Sequence, residues 1–305
     1  MKNVINYFYN LNITELTKKD NIYSFYKNDE LYYLYIYNNN IKTINLTIDI
    51  NNSLKKDTLI HEIIVNKDNS IITYYNNIPY ILCKINININ KPISLGEISY
   101  LSSRTISTNS KITYHSWQEL WSIKIDYLEK VINENGKKYP IIVNSFNYFV
   151  GMAENAISYY NNLSNKTIDN SSLVISHRII NITDTVLSIY NPVNIIIDHK
   201  TRDIAEYIKY SFFNNNTNIF KELDIYFKYN YYTKDDIVML LARVLYPSFY
   251  FNMYEDIMVN SKEEKIITNI TCKLENYELY LNKVFKYFNK FYNIPIPEWL
   301  NKSNN

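Results

Sequence analysis

Along the first ninety residues apolar and polar positions alternate with a period of two, which is the signature of half-buried strands. The stretch NIYSFYKNDELYYLYIYNNN reads as two strands around a turn at Lys27-Asn28-Asp29-Glu30. IKTINLTIDI continues the alternation as a further strand, KKDTLIHEIIVN is short and fits either period, and SIITYYNNIPYILCKINI reads as a hairpin turning at Asn76-Asn77. The first third therefore predicts a small, mostly antiparallel sheet. Beyond Pro92 the period lengthens to that of a helix. YHSWQELWSIKIDYLEKVI sets Trp117, Leu120, Trp121, Lys124, Leu128 and Val131 or Ile132 along one helical stripe, with Lys124 as its polar member. IIVNSFNYFVGMAENAISYYNN is a second long helix. Two short strands interrupt, Leu173 to Ile175 and Val193 to Ile197, and helices follow over 202–213, 217–228, 234–246 and 263–290. The segment IVMLLARVLYPSFYF at 237–251 reads as a buried helix; it holds Arg243 and Pro247 and is shorter than a bilayer requires, so no transmembrane segment is expected.

This order predicts an α+β fold with a small antiparallel sheet lobe over residues 1–90 and a helical lobe over 91–305. No internal repeat and no Pro/Ser/Gly linker divides the chain, so the two lobes read as parts of one domain. At 305 residues the chain can bury a substantial core. A net charge of +2 with interspersed signs gives no electrostatic footprint for nucleic acid and no polybasic membrane patch. The 32 tyrosines and the abundance of Asn, Ile and Lys are what AT-rich codons write, and we read them as composition rather than chemistry. The same bias creates triplets such as Asn181-Ile182-Thr183, which would be glycosylation acceptors only in a secreted chain. The opening MKNVINYFYNLNITE has no apolar stretch before a cleavage site, so no signal peptide is expected and the location reads as cytoplasmic. Cys83 and Cys272 are isolated and read as small core residues in a reducing compartment.

The glycines exclude whole function classes. Gly96, Gly136 and Gly151 lie far apart, so neither GxGxxG nor a phosphate-binding P-loop can be written. His61, His115, His177 and His199 are too scattered for a zinc pattern. Chemistry concentrates instead in VISHRIINITDTVLSIYNPVNIIIDHKTRDIAEYIK. This segment resembles the second-lobe pattern of aminoglycoside-phosphotransferase-like kinases, His-x-Asp-x-x-x-x-Asn followed after a strand by apolar-apolar-Asp. With HRII, NPVNIIIDHKTRDIAEYIK, ELWSIKIDYLE, GMAENAISY and ARVLYPSFYFNMYEDIM in the same order, residues 115–260 resemble the spore-coat-associated CotS/YutH-like group of that protein-kinase-like superfamily. The resemblance implies a bilobal kinase-like fold, magnesium and ATP as ligands, association with the spore coat, and other coat proteins as partners.

Carried over residue by residue, His177 takes the place of the pattern's His and Asp198 that of the metal-binding Asp. Ile179 stands where the catalytic Asp belongs and Asp184 where the Asn belongs. An isoleucine neither accepts a proton nor orients a hydroxyl, whereas Asp184 still offers oxygen to a metal. The first-lobe Lys that grips the phosphates is missing from LYYLYIY at 31–37; Lys42 lies just outside it, and Glu62 is a candidate ion-pair partner. His177, Arg178, Arg202 and Asp203 read as organisers of the loop, Asp203 by its place in the resemblance. Arg243, in an apolar helix, needs a carboxylate such as Glu154, Asp203 or Glu206. His199 reads as an exposed neighbour of Asp198, and Trp117 and Trp121 as core. The reading these residues support is a catalytically impaired kinase-like protein, a pseudokinase, acting by binding in spore coat assembly. The alternatives are an active ATP- and magnesium-dependent small-molecule phosphotransferase, with Asp184 standing in for the base, and a structural coat component that binds no nucleotide.

Overall fold

The structure is a computed structural model and describes residues 1–19, 22–37, 43–54, 59–86, 90–105, 115–164, 168–260 and 262–301. Two compact units emerge, one of residues 1–112, 174–179 and 184–198, the other of residues 113–173, 180–183 and 199–305. The first opens with helix α1 (Lys2–Tyr9), strands β1 (Thr17–Lys19), β2 (Ile22–Lys27) and β3 (Glu30–Ile36), and helix α2 (Ile44–Leu54). Strands β4 (Glu62–Ile64), β5 (Thr73–Tyr75) and β6 (Ile78–Lys84) and helix α3 (Leu95–Ser102) follow. The strands form one antiparallel sheet in the order β1-β2-β3-β6-β4, with β5 paired to β6.

Both expected turns are present. Lys27 pairs with Glu30 across Asn28 and Asp29, and Tyr75 with Ile78 across Asn76 and Asn77. All four loop residues have φ between 51° and 63°. That is the two-residue hairpin geometry in which both central residues are left-handed. Asn and Asp tolerate it because their short polar side chains bond locally, and in a chain with three glycines they take over the work glycine usually does. The Asn content thus carries structure as well as codon bias.

The sheet alternates as the sequence predicts, but both faces are covered. Phe25, Tyr32, Leu34, Tyr80 and Leu82 join Ile5 of α1 on one side, while Tyr35, Ile81 and Cys83 pack with Ile72 and Val193 on the other. The segment expected to continue as a strand is instead α2. Thr47, Ile50 and Leu54 recur at i, i+3 and i+7 and are its buried residues, so the helical period outweighs the β-branched content. Further along, β7 (Leu173–His177) and β8 (Ile195–His199) pair in a two-stranded sheet, with the short helix α6 (Val186–Ile189) between them.

The second unit is helical. It contains α4 (Trp117–Asn135), α5 (Pro140–Tyr160), α7 (Arg202–Phe213), α8 (Ile219–Tyr229), α9 (Lys234–Leu245), α10 (Ser248–Asn260), α11 (Thr268–Thr271), α12 (Leu274–Tyr292) and α13 (Glu298–Asn301). At its centre α9 is buried at every position from Asp236 to Leu245 and packs on α5 and α7. Thr233 starts it with a capping box, accepting from the Asp236 amide while Asp236 accepts from the Thr233 amide. The apolar segment 237–251 is two helices rather than one. Pro247 lacks an amide hydrogen and its ring clashes with the preceding turn, so α9 ends at Leu245 and α10 begins at Ser248. The predicted helix 263–290 is likewise divided, into a 3-10 turn at Glu264–Ile267, α11 and α12. On α4 the buried stripe runs Trp117, Trp121, Ile125, Leu128. Leu120, expected on it, is exposed. Lys124 is paired with Glu255. Among the described residues no helix is long and apolar enough to cross a membrane.

Candidate functional site

In the first unit the end of β7 presents His177-Arg178-Ile179. His177 is buried, and its Nε2 lies 2.9 Å from the Ile189 carbonyl, so the ring ties the loop to the end of α6. Arg178 is exposed, and its amide donates to the Asn194 carbonyl at 2.8 Å, prolonging the pairing of β7 with the segment entering β8. Asn194 then grips Ile179 at two points. The Ile179 amide donates to Oδ1 at 3.1 Å, and Nδ2 donates to the Ile179 carbonyl at 2.8 Å. The peptide is fixed from both sides while the Ile179 side chain is 37 % exposed. No polar side chain is presented at this position.

Asp184, half-buried, precedes a chain that is pinned in turn. Thr185 bridges Pro92, and the Val186 amide donates to the Lys91 carbonyl at 3.0 Å. Asp198 is buried near the end of β8. Both carboxylates supply hard oxygen, the donor type magnesium takes. Among the described residues, however, no three His, Cys, Asp or Glu side chains are grouped to hold a metal ion. Strand β3 carries no lysine. Lys42 lies outside the described residues. Lys84 on β6 faces Glu62 across the β4–β6 pairing, but its ammonium is committed to Glu30 at 2.5 Å. Tyr32 also donates to Glu30, and the Lys84 and Tyr32 hydrogen bonds hold the Glu30 carboxyl below its usual range.

Beyond Asp198 the chain enters the second unit, where the charged residues form two buried networks. His199 is 2 % exposed rather than solvent-facing, because its ring packs edge-on against Trp117. Its Nδ1 lies 2.8 Å from the Thr201 hydroxyl, and its Nε2 lies 3.3 Å from Asp236. Lys200 closes on the other oxygen of Asp236 at 3.0 Å. Burial alone would raise the Asp236 carboxyl, but the His199, Thr233 and Lys200 hydrogen bonds hold it well below the carboxylate range. The second network joins α7, α9 and α10. Glu206 pairs with Arg243 Nε at 2.9 Å and Lys209 at 3.0 Å, and accepts from the Ser248 hydroxyl at 2.8 Å. Lys209, 1 % exposed, also donates to the Arg243 and Tyr246 carbonyls, each at 3.0 Å. Arg243 stacks over Trp117 with its guanidinium 4.7 Å from the ring. Arg243 pairs with Glu206, one of the three partners considered for it. Asp203 is buried at the start of α7 with Arg202 half-buried before it. Asn194, Lys209 and Asp236 were not among the sequence candidates. Lys209 could have been found from its i, i+3 spacing to Glu206 and the capping role of Asp236 from Thr233 three residues before it, whereas nothing local marks Asn194.

A family profile described as "Spore coat putative kinase YutH" matches residues 2–287, so the likeness extends through the N-terminal sheet as well as the motifs. The endospore coat-associated protein YutH of Bacillus subtilis is 28% identical over 209 residues, a stretch that spans 61% of this chain and 61% of that relative. Among solved structures, spectinomycin phosphotransferase in complex with ADP and spectinomycin aligns with a TM-score of 0.56 at 13% identity over 93% of both chains. A microcompartment-associated aminopropanol kinase aligns at 0.56 and 9% identity, over 94% of this chain and 97% of that one. An aminoglycoside phosphotransferase from Alicyclobacillus acidocaldarius aligns at 0.54 and 11% identity, over 90% of this chain and 92% of that one. The fold is that of the aminoglycoside phosphotransferases.

Proposed function

The chain belongs to the spore coat YutH family, and from that premise we propose that it is a kinase-like protein impaired in phosphoryl transfer that acts by binding during spore coat assembly. The observation that carries the reading is Ile179, clamped by Asn194 where the family resemblance calls for the catalytic aspartate. A base contributes only when it lies within hydrogen-bond reach of the proton it takes. With the backbone held at two points, rotation about the Ile179 side chain brings no acceptor to that place. Among the described residues β3 carries no lysine, which agrees, and Lys84 on β6 is paired with Glu30. Asp184 and Asp198 are the residues that would hold magnesium, and the ion would neutralise charge on bound phosphates. Those two carboxylates can support nucleotide binding without a group to activate an acceptor.

The test is a phosphotransfer assay with radiolabelled ATP and magnesium, on the protein alone and with small hydroxylated acceptors. We expect incorporation no greater for the natural chain than for Asp198→Ala. Transfer that Asp198→Ala abolishes would establish an active phosphotransferase instead. A rise in melting temperature with ADP or ATP, lost in Asp198→Ala, separates a nucleotide-binding pseudokinase from a coat component with no nucleotide site.

A further inference from the structure

The buried network of His199, Lys200 and Asp236 forms the floor of a cavity that the kinase-like reading leaves unused. This cavity, of about 610 Å³, lies wholly within the second unit. Its walls come from stretches remote in sequence: the chain between α5 and β7, the end of β8, and the chain from Tyr231 into α9. Hydrogen bonds tie these stretches together around the opening. The Lys200 amide donates to the Ser172 carbonyl at 2.9 Å, the Ser164 amide to Asp235 at 3.2 Å, and the Lys200 ammonium to the Tyr231 carbonyl at 3.3 Å. The volume falls within the roughly 300–1,000 Å³ typical of small-molecule sites, which are usually preformed in this way.

The lining decides the kind of molecule. Lys200 and Asp236 pair at 3.0 Å and neutralise each other. The other lining charges are Asp169, Asp235 and Lys234, interleaved with the serines 164, 171 and 172. A simple anion meets carboxylates here, and among the described residues no three His, Cys, Asp or Glu side chains are grouped to hold a metal ion. An apolar molecule would strip water from these charges without replacing it. A hydroxyl both donates and accepts, so it serves a carboxylate, an ammonium and a serine alike. Its bonds to ionised partners are the stronger ones, and the amide and hydroxyl of Ser171 hold the Asp169 carboxyl below its usual range. The rim adds Tyr231, whose carbonyl is held by Lys200 while the residue stands 84% exposed. The face of an aromatic ring is negative and attracts weakly positive C–H groups, which a sugar ring carries alongside its hydroxyls.

We propose that this cavity binds a neutral mono- or disaccharide, with its hydroxyls on Asp169, Asp235 and Lys234 and a C–H face against the ring of Tyr231. Ile179, Asp184 and Asp198 are not among the described residues that line it. Binding here needs neither nucleotide nor magnesium, so this proposal and the kinase-like reading can each fail without the other.

The test is saturation-transfer difference NMR on the full chain with glucose, N-acetylglucosamine and maltose, beside calorimetric titrations with sodium phosphate and calcium chloride. At least one of the sugars should bind, with a dissociation constant in the millimolar range. Its affinity should fall about tenfold in Tyr231→Ala, and about tenfold in Asp169→Asn combined with Lys234→Ala. These positions are exposed, and unchanged circular dichroism confirms that the variants fold. The proposal is overturned by no saturation transfer from any of the sugars at about 50 mM, by sugar binding that either variant leaves unchanged, or by phosphate or calcium binding more tightly than every sugar.

Discussion

Glu206 carries more of the second unit than its place in a surface-like sequence suggests. Burial alone would raise its carboxyl, yet Lys209 and Arg243 and the Ser248 hydroxyl more than reverse that and hold it well below the usual range. Burial pulls the Lys209 ammonium down, and Glu206 only partly restores it. The isosteric change Glu206→Gln leaves two buried cations facing each other. We expect a loss of about 3–5 kcal/mol, read from the urea midpoint, and a cost below about 1 kcal/mol would show that the network does not brace the three helices. How much of this was legible follows from distance along the chain. The place of Ile179 in the family resemblance is a local matter, because His177, Ile179 and Asp184 sit within one short motif. The need of Arg243 for a carboxylate was legible from its apolar surroundings, but the choice of Glu206 depends on α7 packing against α9. The burial of His199 is hidden from the sequence for the same reason: its partners Asp236 and Trp117 are remote in the chain, and the adjacent Asp198 says nothing about burial.

At the scale of elements, turn chemistry was the most reliable signal and β-branched composition the least. Asn28-Asp29 and Asn76-Asn77 gave both hairpins their place and register, since each pair accepts left-handed backbone. The misassigned α2 shows the converse. IKTINLTIDI satisfies a period of two, yet Thr47, Ile50 and Leu54 also satisfy a helix, and packing decided between them. The turn offers a direct measurement. Asn77 has φ 63°, where a side chain without a local polar group costs about 1–2 kcal/mol. Asn77→Ala should therefore lose about 1 kcal/mol in denaturant unfolding, whereas Asn77→Gly, which creates the preferred Asn-Gly pair, should hold or gain stability. Equal losses in both variants would mean that the side chain of Asn77, rather than its backbone conformation, supports the hairpin.

At the scale of the whole molecule, acid should act on the two units through different groups. In the first unit His61 is fully buried, and among the described residues neither ring nitrogen has a hydrogen-bond partner. Its backbone is held between the Tyr190 carbonyl and the Asn51 side chain. Burial depresses its pKa from 6.5 to about 4. The unfolded chain therefore takes up this proton first. The stability His61 contributes is fully present above pH 6.5 and is lost as pH falls toward 4, an effect of about 3 kcal/mol. In the second unit the buried carboxyls held low are those of Glu206 and Asp236, whose ordinary values are 4.5 and 3.8. Their contribution persists until pH falls below those values. Trp117, Trp121 and Trp299, the three tryptophans of the chain, all belong to the second unit, so their fluorescence reports that unit alone. As pH is lowered from 6.5 to 4.5, hydrogen exchange in residues 59–86 should accelerate while tryptophan emission holds, and His61→Leu should remove that early acceleration. Exchange in 59–86 that stays slow until the tryptophan emission changes would show that His61 does not govern the acid response of the first unit.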